Sequence, residues 1–161
     1  MSTEPFLRAG TAGDAAEVAR IWHEGWRDGH LGSVPDELLP ERDEASFIER
    51  APDRVADTTV LEVDGEVAGF IMILGDEADQ VYLDARHRGA GLASVLIAEA
   101  ERQIAAAGHD TAWLAVVAGN ARARRFYEKS GWTDAGLFAY AAETRSGTFD
   151  VPCHRYEKAL T

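Results

Sequence analysis

Apolar residues recur along the chain at two spacings, and each change of spacing marks an element boundary. Phe6-Leu7-Arg8-Ala9 reads as a short first strand. Ala15, Val18, Ala19, Ile21, Trp22 and Trp26 then share one face at helical spacing, with Thr11 or Asp14 available as the cap. Gly29, Gly32 and Pro35 break the pattern. A second helix is expected over about Asp36 to Arg50, split or delayed by Pro40. Thr58 to Val63 is a β-branched run, Asp64-Gly65 a two-residue hairpin signal and Glu66 to Leu74 the partner strand. Gly75-Asp76-Glu77 should turn the chain into a further strand at Gln80 to Leu83.

The second half alternates more regularly. A glycine-containing loop from Arg86 to Gly91 opens a helix with the apolar stripe Ala93, Leu96, Ile97, Ala100, Ile104 and Ala107, ended by Gly108. Trp113 to Val117 is a buried-type strand, and Asn120 to Lys129 a fourth helix closed by Gly131. Trp132 to Leu160 reads as two strands joined by a polar connection at Thr144 to Gly147. The order β-α-α-β-β-β-α-β-α-β-β predicts one mixed α/β domain over residues 1–161, a central sheet flanked by about four helices.

Composition narrows the class of protein. Apolar residues make up 46% and charged residues 27%, ordinary for a folded globular domain. No window is long and apolar enough to span a bilayer, and Glu4 precedes any apolar run, so neither a membrane anchor nor a secretory signal is expected and a cytoplasmic location is the default. The single cysteine, Cys153, excludes an internal disulfide and is expected to be a plain strand residue. The five histidines are scattered without paired His or Cys spacing, so no metal site is expected. A net charge of −12 disfavours nucleic acid and anionic membrane as partners.

The most informative segment is Val81-Tyr82-Leu83-Asp84-Ala85-Arg86-His87-Arg88-Gly89-Ala90-Gly91-Leu92-Ala93-Ser94, in which a strand ends, a glycine loop turns and a helix begins. The first amides of a helix have no partner within it and lie at the positive end of its dipole. Glycines let a bound anion approach the backbone, an arrangement suited to a diphosphate. Arg86, His87 and Arg88 add positive charge, and Ser94 a hydroxyl donor. A dinucleotide fingerprint does not fit, because Ser94 stands where its third glycine belongs and the loop follows a late strand. A P-loop is excluded, since no Gly-Lys-Ser/Thr follows.

Arg88-Gly89-Ala90-Gly91-Leu92-Ala93 resembles the Arg/Gln-x-x-Gly-x-Gly/Ala signature of the GNAT N-acetyltransferases, their coenzyme A pyrophosphate loop. Leu7 to Thr11 with Asp14 resembles the family's opening, and Trp22 through Trp26-Arg27 to Val34-Pro35 its first two helices and their loop. Asn120 to Trp132 resembles its second conserved block. The resemblance implies the GNAT acyl-CoA N-acyltransferase fold, acetyl-CoA as co-substrate, no metal, and direct acetyl transfer to a primary amine of a small molecule or peptide. It implies cofactor contacts at Arg88, Gly89, Ala90, Gly91, Leu92, Ala93 and Ser94, at the backbone of Val81, Tyr82 and Leu83 in a gap between the fourth and fifth strands, and at the Asn120 side chain. A free amide at Leu83 is then placed to polarise the thioester carbonyl. Tyr127 is implied as the general acid at the CoA sulfur, since a phenol of pKa ~10 keeps its proton at neutral pH. Dimers are common among similar proteins, so a homodimer is a further implication.

Two features depart from or extend this pattern. Some members carry a Glu general base on the fifth strand, where this chain has Ala115, which leaves Glu24, His23, His30 and Asp84 as candidates and keeps alive a non-catalytic acyl-CoA sensor. Residues 1–80 carry 6 basic and 19 acidic residues against 10 and 9 in residues 81–161. The half expected to meet the acceptor is therefore strongly acidic, with Glu24, Asp28, Asp36 and Glu37 on or beside its loop, which suggests a cationic or neutral acceptor.

Overall fold

Asp64 and Gly65 adopt φ of 56° and 78°, the left-handed pair that a tight two-residue hairpin requires. They join β2 (Thr58–Val63) to β3 (Glu66–Leu74), and β1 (Phe6–Ala9) lies antiparallel against the outer side of β2. The computed structural model describes residues 4–160. β4 (Glu77–Leu83) continues the antiparallel meander. β5 (Thr111–Val117) lies parallel to β4, and β6 (Thr133–Thr144) and β7 (Gly147–Ala159) form the closing hairpin. The seven-stranded order is β1-β2-β3-β4-β5-β7-β6, a mixed sheet as expected.

Among the described residues four α-helices cover the two faces: α1 (Ala15–His30), α2 (Glu44–Asp53), α3 (Leu92–Ala106) and α4 (Ala121–Lys129). Trp22 and Trp26 of α1 and Phe47 of α2 pack with Val60, Phe70 and Met72 on one face. Leu96, Ile97 and Ile104 of α3 and Tyr127 of α4 pack with Ile71, Leu114 and Tyr156 on the other. Alternate residues of the central strands thus serve opposite cores, as a sheet covered on both faces demands.

The expected split at Pro40 takes a definite form. Asp36–Arg42, with Pro40 inside, winds as a 3₁₀ segment, and α2 starts afresh after Asp43, whose side chain accepts from the Ser46 amide at 2.9 Å. β4 starts at Glu77 instead of Gln80, so the turn is shorter than expected. Its register against β3 shifts between Met72 and Ile73, leaving Asp79 as the extra residue. Such a bulge increases local twist. Beyond it β4 leaves the line of β5: the two strands pair at Glu77 and Trp113 alone, where the Trp113 amide donates to the Asp76 carbonyl at 3.1 Å.

Candidate active site

The divergence of β4 and β5 opens the sheet. The Asp84 amide donates to the Ala68 carbonyl at 2.7 Å. In an antiparallel ladder, residues bonded to one neighbour alternate with residues turned the other way. Asp84, Tyr82 and Gln80 therefore address β3, while the amides and carbonyls of Leu83 and Val81 address the gap. A cavity of about 510 Å³ runs through this opening, lined by Val81 and Tyr82 of β4 and Ala115 to Val117 of β5. Asn120, Ala123 and Tyr127 bound it on the α4 side, and Trp22, Gly25, Gly29 and His30 on the α1 side. Gly25 has a packing reason: a Cβ there would stand 2.3 Å from Cδ1 of Tyr82, so only glycine lets that ring lie against α1.

At one end of the gap, α3 begins directly from Gly91, which has φ 76° and gives the helix no side-chain cap. Gly89 is also left-handed, with φ 87°. A Cβ at either glycine would meet nothing within 4 Å, so the loop is open on the side from which the first α3 amides face outward. Leu92 is buried beneath, Ala93 is half-buried, and Ala90 and Ser94 are exposed. These features fit the phosphate-binding end of coenzyme A. The basic residues of the loop are not free, however. Arg86 pairs with Asp84 at 2.8 Å, and Arg88 reaches across to Asp28 of α1 at 3.2 Å.

Across the gap, the Asn120 Oδ1 accepts from the Ala123 amide at 3.1 Å and caps α4. The same side chain turns its Nδ2 toward Gly29, where a Cβ would come within 2.8 Å of it. The amide nitrogen thus lies at the cavity wall while the oxygen holds the helix. Tyr127 is 8% exposed and sits among Phe126, Trp132 and Tyr156. Burial raises its phenol above the ordinary tyrosine range, so the hydroxyl stays protonated.

The cavity continues past the gap to a polar end that the sequence reading did not find. Glu77 lies there half-buried, its carboxylate accepting from the Tyr140 hydroxyl at 3.0 Å. Burial first, and the charge of Asp79 second, push its carboxyl up to about 7. Arg42, Arg50 and Arg54 stand around the same end. Half of the six basic residues in the acidic N-terminal half therefore line this cavity. The expectation of a cationic or neutral acceptor rested on a sum over the half-chain, and the acidic residues named for it are not the ones at this end of the cavity, where Glu77 and Asp79 stand beside the three arginines. Glu24 is exposed and pairs with Arg20, Asp28 pairs with Arg88, and Asp36 and Glu37 are not among the lining residues.

The four residues considered as bases fare poorly. Asp84 is 3% exposed; burial opposes its charge, but hydrogen bonds from Arg20 and Arg86 outweigh it and hold the carboxyl down at about 2. It braces α1 against the loop before α3. His30 lines the cavity, but burial drives it to about 4, and its Nδ1 donates to the Trp26 carbonyl at 3.0 Å. His23 packs against Phe47, and neither His23 nor Glu24 lines the cavity. Cys153 is a buried β7 residue at the cavity wall whose thiol burial pushes up to about 11, unsuited to nucleophilic attack. Among the described residues no three His, Cys, Asp or Glu side chains are grouped to hold a metal, and no helix is long and apolar enough to cross a membrane.

A sheet opened between its fourth and fifth strands, with a glycine loop and bare helix N-terminus at one end of the gap, defines an acyl-CoA transferase architecture. Residues 16–132 match the Acetyltransferase (GNAT) family model, and the chain belongs to that family; it is an acetyl-CoA-dependent acyltransferase. Its fold is similar to that of an N-acetyltransferase from Staphylococcus aureus Mu50 (TM-score 0.73, 18% identity, covering 99% of this chain and 100% of that one). It is likewise similar to the PaiA N-acetyltransferase of Thermoplasma acidophilum, solved with coenzyme A (0.68, 17%, covering 97% and 99%). A Salmonella typhimurium protein solved with its cofactor acetyl-CoA is a third such structure (0.70, 16%, covering 99% and 95%). No curated protein sequence matches the chain.

Proposed function

We propose that this protein moves an acetyl group from acetyl-CoA directly to a primary amine of a small-molecule or peptide acceptor. The observation that carries the reading is the continuous cavity through the β4–β5 opening, which brings Val81, Tyr127 and Glu77 onto one passage. The open loop Arg88 to Ser94 and the bare amides of α3 would hold the diphosphate, and Val81, Leu83 and Asn120 would hold the pantetheine arm. Acetyl-CoA supplies an activated thioester, whose C–S bond breaks as the C–N bond forms.

The chain's own residues supply the proton transfers. An amine of pKa ~10 arrives as ammonium at neutral pH. Glu77, with its carboxyl at about 7, takes that proton through solvent in the cavity, a role for which Ala115 leaves no candidate on β5. The Leu83 amide faces the gap and stabilises negative charge on the thioester oxygen. Tyr127 gives its proton to the departing sulfur and is reprotonated by the second proton that the nitrogen loses as it becomes an amide. No covalent intermediate on the protein is required, consistent with the raised thiol of Cys153.

The test combines binding with turnover. Acetyl-CoA at a hundred times its dissociation constant should stabilise the protein by about 2.7 kcal/mol, measured as a rise in Tm that NAD and ATP do not match. Thiol release on addition of an amine panel reports transfer. Binding of CoA without thiol release for any amine would favour the acyl-CoA sensor over the enzyme.

Gly91→Val separates the loop from the rest of the site. Valine at φ 76° is strained by about 1–3 kcal/mol, and its side chain would occupy the open approach to the α3 amides. The CoA-induced rise in Tm should disappear while the far-ultraviolet circular dichroism of the folded protein remains. A full CoA shift in this variant would place the diphosphate elsewhere.

A further inference from the structure

The three arginines at the polar end of the cavity are held unlike surface arginines. Arg50 lies over the Trp22 ring, its guanidinium carbon 4.3 Å from the ring centroid, and over Phe47 at 5.1 Å. No carboxylate pairs with it among the described residues, and its Nη1 is enclosed without an acceptor. Arg54 spends Nε on Asp57 at 3.0 Å and Nη1 on Asp79 at 2.9 Å, yet its Nη2 is also enclosed without an acceptor. Arg42, 9% exposed, gives Nη2 to the Glu143 carbonyl of β6 at 2.8 Å. Buried donors in native proteins are nearly always satisfied. Here two donors on two guanidinium groups lack partners, both belong to residues lining one cavity, and they are the only such side-chain atoms among the described residues.

The negative groups nearby do not answer this charge. Asp79 is engaged by Arg54, and Glu77 is held by the Tyr140 hydroxyl. Asp57 also pairs with Arg54, so of the two arginines with an enclosed donor Arg50 is the one left without an ion-pair partner among the described residues. Burial lowers Arg50 to about 10, so it remains charged while bearing the strain of an unanswered ion. A guanidinium offers a planar fork suited to a carboxylate or a phosphonate. Arg42 and Arg50 also wall a second hollow of about 320 Å³ beneath the β6–β7 hairpin, which Glu41, Asp43, Glu49 and Glu143 line as well.

We propose that the acceptor carries an anionic group, a carboxylate or a phosphonate, which docks against Arg50 and Arg54 and so presents the amine to the β4–β5 gap. The inference rests on the acetyl-transfer reading and names the substrate class of that same site. It also gives the cavity a rule of selection: an amine lacking the anion would leave the Arg50 charge without a partner, and discrimination of this kind is strong because the penalty falls on the protein.

The experiment measures kcat/KM with acetyl-CoA for matched acceptors: α-amino acids against their carboxamides, and aminoalkylphosphonates against the corresponding uncharged amines. The anion-bearing member of a pair is expected to be better by about 10–100-fold, the range of a hydrogen bond to a charged group, and the two arms distinguish carboxylate from phosphonate. Arg50→Met should bring the ratio within each pair toward one. Retention of the CoA-induced Tm shift shows that this variant is folded. Independently of turnover, glutarate and propylphosphonate, titrated with CoA present, should raise the Tm of the parent protein and not that of Arg50→Met. A ratio near or below one in the parent, a ratio that survives Arg50→Met, or no thermal response to either anion would overturn the proposal. Failure of every amine to react, with the anion response intact, would instead count against acetyl transfer.

Discussion

Replacing Tyr127 with Phe should lower turnover by about 10²–10⁴-fold, the range for loss of a general acid, while CoA still raises the Tm. The substitution keeps the ring that packs against Phe126, Trp132 and Tyr156 and removes the hydroxyl alone. Burial holds the Tyr127 proton well above neutral pH, so the group can donate throughout the working range without itself titrating. The pH–rate profile of the variant should therefore keep its shape as its height falls. Parent-like turnover, with chemistry shown to limit the rate, would remove Tyr127 from proton transfer and return it to the aromatic core.

Glu77→Gln should have two opposed effects. As a base with its carboxyl at about 7, Glu77 should give kcat/KM a rising limb through neutral pH. The amide variant should lose that limb and about 10²-fold or more of the rate above it. Stability should move the other way. The folded protein holds the Glu77 proton at pH values where the unfolded chain, near the ordinary glutamate value of 4.5, has released it. Stability is thus lost as pH rises from about 4.5 through 7, and the cost is complete only above 7. Gln removes that cost, so the variant should gain on the order of 1–2 kcal/mol at pH 8, discounted for partial exposure, and almost nothing at pH 4. Denaturant titrations of both proteins at pH 4 and 8 check this. An active variant, or one with the parent's pH dependence of stability, would assign the base to another group.

The two effects share one cause. A carboxylate kept half out of water beside Asp79 is costly to the fold and near the pKa useful for taking a proton from an amine. Arg50 has the same character, because a site built for a charged substrate carries unpaired charge without it. Both features belong to the end of the cavity where the acceptor would lie, remote from the glycine loop of the cofactor end.

The sequence by itself determined the order of the elements and several of their limits. Phe6–Ala9, Thr58–Val63 and Glu66–Leu74 are strands with the expected bounds, Pro40 interrupts the second helical stretch, and Gly108 follows the end of α3. Periodicity, turn chemistry and helix breaking are local, so they can be read without knowing what packs against what. The residues expected to hold the cofactor could be named for the same reason, since Arg88 to Ser94, Asn120 and Tyr127 lie in two short contiguous blocks. The acceptor end was not. Glu77 reads as part of a polar turn, and it belongs to β4 because of its pairing with Leu74 and Trp113. Arg42, Arg50 and Arg54 look like ordinary charges of an acidic segment until Trp22, Asp79, Tyr140 and Glu143 close around them. A pKa or an unsatisfied donor is set by groups distant in the chain, through burial and Coulomb interaction. Only the tertiary structure decided which of the many charges of residues 1–80 face solvent and which face the cavity.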